Sequence, residues 1–508
     1  MMSSIYFLRW SYRKKAVVVV LVFLCLRIIV SNFLDVGNDE SYYWTFSQQL
    51  QWNYFDHPPM VAIWIRLFTA NLLLEDYTFF LRLGSFVGAA ISSYFIYNAI
   101  KAVSTDKAGL AGVFLYNISF YTFLTTGLFI MPDTPQMVFF TASMYFITQI
   151  LKNDSRKRAW IFFGITAGLC IMSKVHGVFL WGGLFLYALI YKRAWFKNAG
   201  FYISMLITAV IISPILIWNI QNDFITFRFH SERITVNEKS SFNMMGLLTE
   251  IIGQIVINNP FNIGLIAFFF FKRFTTKSKA ALQVFKLIGI TLLVVILTIA
   301  LFRNTLPHWS GPAYISLLPI AAIGLSQIKF STSKAFTASA VVYTILSLSL
   351  IVIAVNFYAG SYSNATGIEI GKNDISLDAY GWKEGGEKFA VYYNSQHTGN
   401  KRPPLVCNTW WGGHDEYYFA RPLNIKMIGL APVLNIHQYA WRMATDTVNL
   451  KMDTAYAIVH SYDYFDAKKT YGSYYNKVDS VFTIPVMRAG KLAYNFNIWR
   501  LSGWKQHF

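Results

Sequence analysis

A chain of 508 residues that is 55% hydrophobic, 18% aromatic and only 14% charged is not a soluble globular protein, because soluble domains carry about a quarter charged residues. Its net charge of +19 does not point to nucleic acid: most Lys and Arg of the first two thirds sit in short clusters between apolar runs, which is a topology signal. Three cysteines are too few for a disulfide framework; Cys25 and Cys170 lie in apolar runs and Cys407 stands alone downstream.

Apolar runs at 16–34, 80–100, 108–128, 134–151, 159–173, 177–191, 199–218, 246–271, 280–302, 311–328 and 335–357 predict about eleven transmembrane helices, the fifth and sixth being the shortest. The first run is too long for a signal-peptide core and lacks a small-residue cleavage site, so it is expected to remain as a helix. Arg13-Lys14-Lys15, Lys101 with Lys107, the cluster from Lys152 to Arg158, Lys192-Arg193 with Lys197, Lys272-Arg273 with Lys277 and Lys279, and Lys329 with Lys334 fall in alternate gaps. The positive-inside rule makes that side cytoplasmic. The gaps 35–79, 129–133, 174–176, 219–245 and 303–310, and everything after 357, then face outward.

The expected organisation is a transmembrane domain over 1–357, with a first outer loop at 35–79 that holds juxtamembrane helices, and a small extracytoplasmic α/β domain over 358–508. Val481–Ile484 and Leu492–Ile498 alternate like strands, and 382–393 (WKEGGEKFAVYY) reads as a weak helix despite two glycines.

The first outer loop concentrates unusual residues. In NDESYYWTFSQQLQWNYFDHPP, from Asn38 to Pro59, Tyr43, Phe46 and Leu50 fall on one helical face. After Pro59, Met60, Ile63, Trp64, Leu67 and Phe68 form a second stripe, so two short surface helices are expected, with Tyr54 to Pro59 as a rigid connector and Pro59 in the first helical position. Pro58-Pro59 fixes two φ angles and holds His57 extended, which aims Asp56 and His57 in a set direction. Asp39 and Glu40 stand at the start of the first helix, where an N-cap and a first-turn acid are also natural. Other outer gaps carry Asp133 between Pro132 and Pro135, Lys174 beside His176, Arg228 and His230, and His308 after Pro307. For Asp133 a helix cap, and for Lys174 snorkelling, are the ordinary alternatives.

A carboxylate at a membrane surface can deprotonate an acceptor hydroxyl, and nearby cations can stabilise a departing phosphate. No Gly-rich nucleotide loop occurs, so an activated group used outside the cytoplasm would arrive on a lipid. That leads to group transfer from a lipid phosphate, without identifying the group.

The order Asp39-Glu40, then Tyr54-Phe55-Asp56-His57-Pro58-Pro59, then Pro132-Asp133-Thr134-Pro135, then Ser173-Lys174 resembles bacterial integral-membrane glycosyltransferases of the GT-C fold, in the superfamily of the lipid A aminoarabinose transferases and protein O-mannosyltransferases. A weaker resemblance continues at Gly381-Trp382 and Glu416 to Phe419. The resemblance implies an α-helical polytopic protein of the bacterial inner membrane with its active site on the periplasmic face. It implies transfer of a sugar from a polyprenyl-phosphate donor to a hydroxyl or phosphate of a glycolipid, glycan or protein, by inverting displacement. On this reading the catalytic set is Asp39, Glu40 and Asp133, with Asp39 as base. Lys174, Asp56, His57, Tyr54, Arg228, His230 and His308 would serve the donor. The connector reads Phe55-Asp56-His57-Pro58-Pro59 where the aminoarabinose-transferase pattern has Phe-Glu-Lys-Pro-Pro, so a metal site or amine contact built on that pair does not carry over. A divalent cation and a metal-free site both suit the residues present. The expected partners are the lipid donor, the envelope acceptor and membrane lipids, with no nucleic acid.

The rival from another class is a transporter or flippase for lipid-linked sugars, which predicts ionisable groups deep in the spans. Arg27 and Lys286 lie within apolar runs, where snorkelling accounts for them. A third reading makes Trp410-Trp411 and Tyr417-Tyr418 a glycan platform, although such aromatics are more often core.

Overall fold

The computed structural model describes residues 10–235, 242–398, 402–444 and 453–505. The chain divides into two compact units, Met1–Ile29 with Leu50–Ile345, and Val30–Gln49 with Leu346–Phe508. This division moves Val30–Gln49 and the residues from 346 onward into the second unit, where the sequence alone places the boundary at 357.

A helix forms over each apolar run. In chain order these are α1 (Tyr12–Ser31), then α2 (Asn38–Gln48) and α3 (Met60–Phe68) of the first loop, α4 (Thr78–Val103), α5 (Asp106–Ile118), α6 (Asp133–Lys152), α7 (Lys157–Ser173), α8 (Val178–Tyr191) and α9 (Ala199–Gln221). They are followed by α10 (Ile225–Ile234), α11 (Met244–Ile257), α12 (Pro260–Phe269), α13 (Lys279–Ala300), α14 (Gly311–Gln327) and α15 (Phe330–Asn356). Among the described residues five helices are long and apolar enough to cross a membrane, six if α11 and α12 count as one span. The chain is a multi-pass membrane protein.

Three expectations of the first unit change; the run 108–128 is α-helical only to Ile118, and a π-helical turn over Tyr121–Thr125 follows. The run 246–271 is not one helix: α11 and α12 meet at a bend of 101°. Asn259 takes φ +70° and its side chain caps Phe261 N at 3.0 Å, while Pro260 begins α12 and has no N–H to continue the previous ladder. Pro59 is the N-cap of α3 and not its first helical residue, so the helix begins one position later than expected, at Met60.

In the second unit, α2 does not present one polar face to solvent. Residues 38 and 40–47 are all buried and Asp39 is exposed. The hydroxyls of Ser41, Thr45 and Ser47 turn back onto the carbonyls of Asn38, Tyr42 and Trp44 at 2.6–2.8 Å, so the polar face is satisfied inside the helix and can be buried. Tyr42 packs on Trp410 and Trp44 on Tyr417, with ring centres 5.3 and 5.2 Å apart.

The rest of this unit is a small α/β domain. After α16 (Trp382–Gln396) come β1 (Leu405–Cys407), α17 (Gly412–Asp415), β2 (Met427–Gly429), β3 (Thr454–His460), β4 (Tyr475–Arg488) and β5 (Lys491–Trp504). The sheet order is β2-β1-β3-β5-β4. β1 is parallel to β2 and β3, and β5 is antiparallel to β3 and β4. Ala489 and Gly490, both at positive φ, turn β4 into β5, as right-handed strand twist favours. The expected strands 481–484 and 492–498 lie inside this hairpin. α16 tolerates Gly385 and Gly386 because a Cβ there would meet Phe496 at 2.3 Å and the Tyr418 carbonyl at 2.2 Å; close packing outweighs helix propensity.

Candidate active site

The chemistry-bearing residues gather into a separate cluster in each unit. In the first, Asp133 opens α6 directly after Pro132, where a first-turn proline such as Pro135 costs no hydrogen bond. Its Oδ2 accepts from Lys174 Nζ at 2.7 Å and its Oδ1 from the Tyr121 hydroxyl at 3.0 Å. The two charged side chains are 1% and 6% exposed, so Lys174 does not snorkel; the pair is buried, mutually neutralised and hydrogen-bonded, the condition under which buried charges are tolerated. His308 and His176 lie within electrostatic reach of the same carboxylate.

Tyr121, missed by sequence reasoning, reaches Asp133 from a π-helical turn, Tyr121–Thr125, a distortion that recurs at functional sites. Arg27 stabilises that turn: Nη2 donates to the Thr122 carbonyl at 3.1 Å, Nη1 to Asn117 Oδ1 at 3.0 Å, and the guanidinium lies 4.9 Å from the Phe123 ring centre. Asn117 in turn donates to Ser93 Oγ at 3.0 Å. Gly311 makes room for the Tyr121 ring, which a Cβ there would approach to 2.2 Å. Arg27 is therefore an internal brace, 1% exposed, rather than a snorkelling cation.

The connector forms a second part of this unit. Asp56 Oδ2 lies 3.2 Å from His57 Nδ1, and Tyr54 N donates to the His57 carbonyl at 3.1 Å. α10 holds the connector: His230 Nε2 donates to the Asp56 carbonyl at 2.7 Å, Thr226 Oγ1 to the Tyr54 carbonyl at 3.1 Å, and Phe229 packs on Phe55 at 4.7 Å. Burial, then the neighbouring His57, pushes the His230 imidazole below its ordinary range. Arg228 lies on the exposed side of α10 and its side chain makes no hydrogen bond or ion pair among the described residues. Among the described residues no three His, Cys, Asp or Glu side chains converge to hold a metal ion.

In the second unit, Asp39 stands on a strap fixed at every step. Asp35 Oδ2 accepts from Trp382 N at 2.9 Å; Val36 N donates to the Tyr418 hydroxyl at 2.5 Å; His414 Nε2 donates to the Val36 carbonyl at 2.9 Å. Gly37 N donates to Glu40 Oε2 at 3.1 Å and Asn38 N to Asp378 Oδ1 at 3.2 Å. Glu40 thus turns back to cap its own helix. The weaker sequence resemblance at Gly381-Trp382 and Glu416–Phe419 falls on residues that hold this strap. Tyr417 and Tyr418 are buried and Trp410 and Trp411 half-buried, so they are core more than platform.

Asp378 is the second residue that sequence reasoning missed. Burial, then the neighbouring Asp39 carboxylate, push its carboxyl up to about 7, with Glu40 adding to the same effect. Both polar side-chain atoms of Asn38 are buried with no hydrogen-bond partner among the described residues. No signal in the sequence links position 378 to position 39.

The family of dolichyl-phosphate-mannose-protein mannosyltransferases matches residues 56–218, which include Asp56 to Pro59 of the connector and both members of the Asp133–Lys174 pair. The lipid A galacturonosyltransferase RgtD of Rhizobium johnstonii is 23% identical over 326 residues, 62% of this chain and 66% of that protein, just under two thirds of its length. The crystal structure of ArnT from Cupriavidus metallidurans in the apo state superposes with a TM-score of 0.62 at 12% identity, over 95% of this chain and 97% of that one. The same protein bound to undecaprenyl phosphate gives 0.61 at 14% identity, with the same coverage. The Archaeoglobus fulgidus oligosaccharyltransferase gives 0.52 at 13% identity, over 89% of this chain and 70% of that one.

Proposed function

We propose that this chain, a GT-C-fold glycosyltransferase of the superfamily that holds the ArnT-type and protein O-mannosyltransferases, moves a sugar from a polyprenyl-phosphate donor to a hydroxyl or phosphate of an envelope glycolipid, glycan or protein. The acceptor oxygen attacks the anomeric carbon, the bond from that carbon to the phosphate oxygen breaks, and configuration inverts. Asp39 takes the proton from the acceptor hydroxyl. The polyprenyl phosphate leaves against Lys174, which uses one of its three N–H donors on Asp133, with His176 and His308 adjoining. Asp133 and Tyr121 set the lysine, and Asp56, His57, Tyr54 and His230 shape the donor pocket. The active face is periplasmic in a bacterial inner membrane, as the alternation of basic gaps supports.

The observation that carries the assignment of Asp39 is its exposure on a strap whose flanking groups are all buried or hydrogen-bonded. A general base must be held in one geometry and remain reachable. The ionisable groups that a flippase would use are tied into the fold instead. Arg27 braces the π turn, Lys286 donates to the Phe270 carbonyl at 2.5 Å, and Glu250, also within an apolar run, accepts from Thr305 and Gln254 at 2.7 and 2.8 Å.

The test uses purified protein in lipid, labelled polyprenyl-phosphate sugars and membrane extract, with wild type and Asp39→Asn side by side. Transfer from one donor, lost in Asp39→Asn while the protein stays folded, is the expected result. Undiminished transfer by Asp39→Asn removes Asp39 as the base, and lipid translocation without transfer replaces the enzyme with a flippase.

A further inference from the structure

The second unit holds a cavity that none of these roles uses. Its parallel strands run β2-β1-β3, with β5 and β4 beyond β3. The chain therefore leaves β1 toward one edge of the sheet and β3 toward the other. Such a switch point opens a crevice at the carboxyl ends of the two strands, where open α/β sheets bind their ligands. Cys407, the last residue of β1, and His460, the last of β3, both line a cavity of about 130 Å³ together with Trp411, Asp415, Asp463 and Tyr464. That volume is close to the roughly 150 Å³ of a cavity that admits a six-membered ring such as benzene, the scale of one sugar ring. Asp463 is exposed, so the cavity reaches the surface.

The chemistry of the lining is one-sided. His460 Nε2 faces Asp415 Oδ1 at 3.4 Å, and both side chains are buried. The other ring nitrogen, Nδ1, is buried with no hydrogen-bond partner among the described residues. A buried polar atom left unpaired costs free energy, so this wall of the cavity is not satisfied by the fold itself. Asp415 and Asp463 add acceptors, while Trp411 supplies an apolar face on which the C–H groups of a ring can rest. Burial, then the Asp415 and Glu416 carboxylates, pushes the Cys407 thiol up, so it stays protonated and the cavity is built to bind rather than to attack.

We propose that this cavity binds a single monosaccharide residue through its hydroxyl or amino donors. As a subsite for the acceptor glycan it rests on the transferase reading above; as a sugar site it does not. The test is saturation-transfer NMR on the full-length protein in lipid nanodiscs, with methyl glycosides of a neutral hexose, a 2-amino hexose and a hexuronic acid. The neutral and amino sugars are expected to bind in the millimolar range, with the uronic acid about tenfold weaker because its carboxylate meets Asp415 and Asp463. Asp463→Ala, at the exposed mouth, and His460→Phe, in the wall, should each weaken binding about tenfold. No saturation transfer from any sugar, equal binding by both variants, or tightest binding of the uronic acid overturns the proposal. The same preparation is assayed for transfer. Sugar binding that follows this pattern without transfer from any polyprenyl-phosphate sugar removes the transferase reading and leaves the cavity assigned.

Discussion

Asp133 and Asp39 both stand at helix starts, one in each unit, and they differ in burial and in their neighbours. Asp133 is buried between a lysine and a tyrosine that each donate to it, so its charge is cancelled and its position fixed. Asp39 is exposed, and its neighbour Asp378 is another carboxyl whose proton is held up to about 7 by burial and by Asp39 itself. A carboxylate buried among donors is a strut, whereas an exposed one beside a second carboxyl stays reachable. The same residue type therefore has two different uses, decided by what surrounds it.

The largest expected effect separates the two on activity. Asp39→Asn should lower transfer by about 10²–10⁴, the usual contribution of a positioned base, with little change in thermal stability, because the side chain is exposed. Transfer rates and melting temperatures on one preparation check this, and a melting temperature that falls with the rate would make Asp39 a strut as well. For the pair the reverse is expected. Lys174→Ala leaves a buried carboxylate uncompensated and should destabilise the first unit by about 3–5 kcal/mol. The double change Asp133→Leu with Lys174→Met should recover most of that stability while transfer stays lost. Recovery of transfer along with the fold would reduce Lys174 to a structural role.

How much of this contrast is legible in the sequence depends on chain distance. The ordered set Asp39-Glu40, Tyr54 to Pro59, Asp133 and Lys174 is readable because prolines and carboxylates crowd into short gaps between apolar runs. The partnership of Asp133 with Lys174 is not, since 41 positions separate them and each has an ordinary local explanation. Tyr121 sits inside an apolar run, where hydropathy does not register a hydroxyl, and the π turn that aims it has no sequence signature. Asp378 lies 340 positions from Asn38. The break at Asn258-Asn259-Pro260 is written in turn chemistry, yet the apolar windows on either side merge over it. Helix α2 misleads for a different reason: its hydroxyls are satisfied on its own carbonyls, so polar residues that read as a solvated face are buried.

Tyr121→Phe tests the strut by removing one donor and keeping the ring. A hydrogen bond to a charged group contributes about 1.5–3 kcal/mol, so the loss should be smaller than for Lys174→Ala. The melting temperature should drop and transfer should fall modestly, with Arg27→Met giving a similar pattern through the π turn it braces.

The smallest effect belongs to Asp378, and its sign is the informative part. The carboxyl binds its proton more tightly folded than unfolded, so its contribution to stability is fully present below pH 4. It fades as pH rises toward 7 and is constant above that. The melting temperature of the wild type should therefore carry a downward slope between pH 5 and 7 from this group, worth of the order of 2 kcal/mol or less. Asp378→Asn keeps an acceptor for Asn38 N and cannot ionise. It should flatten that slope and melt higher than wild type at pH 8, while at pH 4 the two should coincide. An unchanged slope in Asp378→Asn would mean that Asp39 and Asp378 do not share a field, and the contrast with the neutralised Asp133 would then rest on exposure alone.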